Sequence, residues 1–151
     1  MSRRFRLAAA LAAPVVLASC YSFATPSYHP GEGRDLVAAI VRHGVTVDAT
    51  VPGDSACDDP GLVANAIRLA VTDPGDGADR DVWLYSFRER SWAAGEASVD
   101  ACQAAFEAAH PDATVIRLDI PVYRAFGADW STDLAQALEA AIAEAADAGA
   151  P

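Results

Sequence analysis

Strict alternation is the pattern that most limits what this chain can become. Val45, Val47, Ala49 and Val51 fall on one side of a two-residue period, with Thr46, Asp48 and Thr50 on the other. That is the signature of a half-buried β-strand, and Pro52, Gly53 and Asp54 close it. The period returns over residues 66–72, where Ile67, Leu69 and Val71 oppose Arg68 and Thr72; a helix over 61–69 is the alternative there. A third strand is predicted over 82–87, with Trp83, Tyr85 and Phe87 on one face and Val82, Leu84 and Ser86 on the other. The polar, glycine-containing stretch between the second and third strands makes them an extended hairpin. A fourth is predicted over 113–120, carrying Ile116, Leu118 and Ile120 on one side.

Three segments carry the longer helical period. Leu36, Val37, Ile40 and Val41 precede Gly44, a glycine stop. Val99, Cys102 and Phe106 follow Ser98, a capping residue, at spacings of three and four, so Cys102 faces inward, and Pro111 ends that helix. Leu134, Leu138, Ile142 and Ala145 form one stripe after Ser131 or Thr132. Residues 121–130 read as a loop containing aromatic residues. The order helix, strand, strand, strand, helix, strand, helix gives an α+β fold: a mostly antiparallel four-stranded sheet packed with about three helices, as a single domain over 34–149.

The chain opens with Arg3, Arg4 and Arg6 and no acid, then runs apolar from Leu7 to Leu17. This is the charge and hydropathy profile of an export signal. Eleven residues of helix reach only about 16 Å, against a hydrocarbon core of about 30 Å, so the run is too short for a permanent span. Leu17, Ala18, Ser19 and Cys20 follow directly: an aliphatic residue, two small residues and a cysteine, which resembles the lipobox of bacterial prolipoproteins. The resemblance covers the first twenty residues. It implies cleavage before Cys20, a diacylglycerol on its thiol, and a protein lipid-anchored on the extracytoplasmic side of a cell membrane or envelope, since two or three acyl chains hold where one does not. Residues 1–19 are then the signal peptide and 20–33 a lipidated tether, with two prolines, two glycines and no periodicity between 21 and 33. Ser2, Arg3 and Arg4 also resemble a twin-arginine signal, but Phe5 follows the pair without a spacer, which favours the ordinary secretory route.

Outside the cytoplasm the remaining thiols, Cys57 and Cys102, are expected to be oxidised to one another. The bond closes a loop of about 46 residues, worth about 4 kcal/mol in the chain-entropy account. A free pair needs a reducing site, a metal pair needs further thiol or imidazole ligands, and a redox pair usually has two intervening residues.

Charge narrows the partners. The chain has 21 acids against 11 basic residues, a formal charge of −10, and loses Arg3, Arg4 and Arg6 with the signal. Such a surface repels phosphate backbones and anionic headgroups, so it excludes nucleic acid as a partner and leaves the membrane contact to lipid.

Motifs for chemistry are few. Asp73, Asp76, Asp79 and Asp81 place four carboxylates within nine residues among glycines, donors that suit a calcium ion. Their spacing is not that of an EF-hand loop, and Asp-Pro-Gly-Asp-Gly is also ordinary hairpin chemistry. His43 and His110 stand at helix ends, where the helix dipole favours a cation, and His29 lies in the tether. No nucleophile-elbow pattern, glycine-rich phosphate loop or lysine occurs, and no catalytic residue or cofactor is assigned. Trp83, Tyr85, Phe87, Tyr123, Phe126 and Trp130 are either core or a contact surface. The sequence therefore favours a non-enzymatic module that binds an envelope protein or small molecule. The alternatives are a small envelope hydrolase using Asp, Glu or His, and a calcium-dependent module built on residues 73–81.

Overall fold

The computed structural model describes residues 33–88 and 92–148. Cys20, the leader and the tether before Gly33 lie outside them. Eight elements follow in the order α1 (Gly33–Arg42), β1 (Thr46–Pro52), β2 (Ala66–Thr72), β3 (Asp79–Ser86), α2 (Trp92–Ala109), β4 (Val115–Ile120), β5 (Tyr123–Ala128) and α3 (Thr132–Ala148). The fold is α+β with three helices. The strands form one sheet in the order β1-β2-β3-β5-β4, with every neighbouring pair antiparallel. Among the described residues no helix is long and apolar enough to cross a membrane.

The sheet has five strands, not four, because β5 occupies most of the stretch read as a loop. Ile120 pairs with Tyr123, so Pro121 and Val122 alone turn β4 into β5. Val122 adopts φ +60°, a conformation usually left to glycine or asparagine in such turns. A Pro-Val turn sends no hairpin signal, and Arg124 in mid-strand breaks the expected apolar run. Yet β5 is the most enclosed strand, pairing with β3 on one side and β4 on the other. Arg124 is tolerated there because Glu96 of α2 and Asp119 of β4 stand 2.7 and 2.6 Å from its guanidinium.

A second departure concerns β1. Val47 pairs with Val71 but Ala49 pairs with Ala70, so Asp48 is the extra residue of a bulge. Cross-strand partners share a face, and the bulge therefore reverses the alternation. Val47 joins Val71 over one core, while Ala49 and Val51 turn to the other face beside Ala70 and Arg68.

Both faces of the sheet are covered, each by its own core. On one, Leu36, Ala39 and Ile40 of α1 and Leu134, Leu138 and Ile142 of α3 pack on Leu69, Val71, Val82 and Leu84. Gly44, at φ +88°, ends α1: its N–H donates to Val41 O and that of Val45 to Ile40 O, which tucks Val45 beneath the helix. On the other face, Val99, Cys102 and Phe106 of α2 pack on Tyr85, Phe87 and Phe126. The helix begins six residues before Ser98; its early turns are alanine-rich, and good helix formers carry it past a residue that reads as a cap. The Cys57–Cys102 disulfide, with Cα atoms 5.4 Å apart, ties the β1–β2 loop to α2 across this second core.

Candidate functional site

A polar depression lies where α2 ends. Along β3 the two-residue period puts Asp79, Asp81 and Trp83 on the α2 side of the sheet, and α2 stops before it covers that end. Asp79, Asp81, Trp83, Phe106, His110 and Asp129 line a groove of about 260 Å³, with Arg80 and Ala128 completing it. Two other depressions, of about 130 and 270 Å³, have no aspartate, glutamate, histidine, lysine or arginine among the described residues of their walls.

The aromatic wall is fixed from several directions. The indole N–H of Trp83 donates to Asp54 Oδ1 at 3.2 Å. The Trp83 ring lies 4.9 Å from that of Phe106 and 6.0 Å from that of Phe126. His110 stacks on Phe106, with ring centroids 4.2 Å apart. Its Nδ1 is 2.9 Å from the Phe106 carbonyl; a carbonyl only accepts, so Nδ1 is the donor. The same carbonyl also accepts the backbone N–H of His110 at 3.0 Å, so both the ring and the main chain of His110 are tied to the last turn of α2.

Most charges around the groove are committed. Arg68 donates from Nε to Asp54 at 2.7 Å and from Nη1 to Asp81 at 2.8 Å. Burial alone would raise the Asp54 carboxyl, but its bonds from Arg68, the Ala56 N–H and Trp83 outweigh that and hold it below the ordinary carboxylate range. Arg80 donates to Asp76 at 2.8 Å and to the Asp129 carbonyl at 2.8 Å. Asp129, at φ +55°, accepts the Thr114 N–H on Oδ1 at 2.8 Å and returns its own N–H to Thr114 O.

The carboxylates of the acidic loop do not gather around one point. Asp73 is fully buried and turned inward, accepting from the Ser131 N–H, the Ser131 hydroxyl and the Gly75 N–H. Asp76 takes Arg80 and Asp81 takes Arg68, so the carboxylates diverge onto separate partners. Among the described residues no group of three or more His, Cys, Asp or Glu side chains is placed to hold a metal ion. Of the two readings of the aromatic set, core packing holds for five of the six residues. Tyr85, Phe87 and Phe126 are buried under α2, and Tyr123 and Trp130 under α1 and α3. Trp83 alone of the six stays partly exposed.

Sequence spacing puts Phe106 on the inward face of a helix and His110 at its end, but does not bring either of them to Asp129. A usable signal was present: extending the third strand back to Asp79 puts Asp79, Asp81 and Trp83 in one alternating row. That Asp129 and the end of α2 meet this row depends on β5 pairing with β3, which no local pattern reveals. No family model matches the chain, and no curated protein or solved structure matches it.

Proposed function

We propose that this protein is an exported lipoprotein, held to the membrane by lipid on Cys20, whose domain is a non-enzymatic module that binds an envelope component in the groove at the end of α2. The observation that carries the binding reading is the groove's make-up. It has aromatic walls and polar rims, and the described residues of its walls include no serine, threonine or cysteine to act as a nucleophile. His110 is oriented by a backbone carbonyl and not by a carboxylate, unlike the base of a catalytic triad. Support for export comes from the cationic leader, its short apolar run and the sequence Leu17-Ala18-Ser19-Cys20. The Cys57–Cys102 bond fits an oxidising compartment. The acidic balance of the chain points away from nucleic acid.

Intact mass of protein taken from its native membrane, before and after reduction and alkylation, tests this. A chain beginning at Cys20, carrying acyl mass and gaining two alkyl groups only after reduction, is expected. An unacylated chain, or thiols that alkylate without reduction, would overturn the anchored, extracytoplasmic reading.

A small hydrolase is the second reading, favoured by His110 sharing its groove with Asp79 and Asp129. Turnover of an ester or glycoside panel that His110→Ala abolishes, with an unchanged melting temperature, would establish it in place of the first.

A further inference from the structure

We propose that the ligand group received by the groove is an organic cation, a primary ammonium or a guanidinium. The inference rests on the binding reading above and names its chemistry.

The groove's own balance selects the charge. Asp79, Asp81 and Asp129 line it against one cation, Arg80, and that guanidinium is already engaged by Asp76 and the Asp129 carbonyl. Asp81 shares Arg68 with Asp54, so one guanidinium serves two carboxylates. An anion entering here meets an excess of negative charge with no uncommitted guanidinium to receive it. A bare metal ion is disfavoured for a separate reason: the carboxylates are held on different partners and do not converge. A cation spread over an amine or guanidine needs no such convergence. It needs an aromatic face and carboxylates within reach, and the part-exposed Trp83 ring beside Phe106 and His110 supplies the first. Trp83 is anchored through its N–H to Asp54, so the ring is positioned before the ligand arrives and little ordering is required on binding.

Size points to a single group. At about 260 Å³ the groove lies below the usual range for a whole drug-sized ligand, about 300–1,000 Å³. It suits the end of one chain, either a basic side chain of a peptide or one end of a free diamine.

The test uses the full lipidated protein in a neutral detergent, ¹⁵N-labelled, with the Trp83 indole and His110 amide signals followed by NMR. The probes are a Gly-Gly-Lys-Gly-Gly amide blocked at its amino terminus, the same peptide acetylated on the lysine, 1,5-diaminopentane and a neutral disaccharide. Saturable shifts with the lysine peptide or the diamine, lost on acetylation and weakened by added salt, are expected; which of the two binds identifies the source of the cation. Asp79→Asn should weaken binding about five-fold, whereas Asp58→Asn, outside the groove, should leave it within about two-fold. Equal shifts from the acetylated and free peptides, or affinity unchanged in Asp79→Asn, would overturn the inference. A response to the disaccharide alone would overturn the cation and leave the binding reading standing. Silence from every probe would count against both.

Discussion

Asp73 stands in the sequence as one of four loop carboxylates, and in the fold it organises the start of α3. Its two oxygens collect the Ser131 N–H, the Ser131 hydroxyl and the Gly75 N–H, and Ser131 Oγ in turn accepts the Leu134 N–H at the first turn of the helix. Asp73→Ala would leave these donors buried and unpaired, and is expected to lower the unfolding free energy by about 3 kcal/mol in denaturant melts. The carboxyl also makes the fold acid-sensitive. Burial would raise it, but the Ser131 and Gly75 bonds, with Arg80 nearby, outweigh burial and hold it below its ordinary 3.8. A carboxyl depressed on folding stabilises above its unfolded value and ceases to do so as pH falls through its lower folded value. Thermal melts should therefore show a loss of stability below about pH 4, and Asp73→Asn should flatten that part of the curve. Gly127 is held to glycine by a close approach of its neighbours. A Cβ there would overlap the Asp81 carbonyl and the Trp130 indole nitrogen, which hydrogen-bond to each other across the strand at 3.1 Å. Gly127→Ala should cost about 2 kcal/mol or more, read as a shift in the denaturation midpoint.

Among the elements, α2 and the β1–β2 loop depend most on a covalent tie. Their core is the smaller of the two and draws Leu62 and Ala66 from beside a loop with little regular structure. Tyr85 donates from its hydroxyl to Ser55 O at 2.6 Å beneath that loop, and burial pushes its phenol pKa up. Replacing Cys57 and Cys102 together by serine should lower stability by about 4 kcal/mol. Hydrogen exchange should quicken in residues 53–65 and α2 well before the α1–α3 side responds. The edge strands show how the sheet avoids growing. β1 carries the Asp48 bulge and ends in Pro52, and β4 alternates Arg117 and Asp119 with its apolar residues. Both are devices that discourage pairing with another chain.

At the scale of the molecule, two helical layers enclose the sheet unevenly, since one helix, α2, covers a face that on the other side takes α1 and α3. The groove is the consequence of that shortfall. An acidic chain folded this compactly repels itself, so raising sodium chloride from low salt to about 0.5 M, where screening acts within about 4–5 Å, should raise the melting temperature by a few degrees.

Legibility in the sequence followed the range of the forces involved. Side-chain periodicity is local, so α1, α3, strands β1 to β4 and the inward face of Cys102 were readable from neighbours in the chain. Compartment chemistry then paired the only two cysteines of the domain. Apolar spacing and turn residues were enough to set the α+β class and the antiparallel sheet. Tertiary structure alone decided the fifth strand, because an arginine inside a central strand is acceptable only once Glu96 and Asp119 are placed around it. It alone reversed the faces of β1, since a bulge is defined by the partner strand. The groove was decided in the same way: Asp79, Phe106, His110 and Asp129 are brought together by pairing and packing, and long-range contacts of that kind leave no periodic trace in the residues that make them.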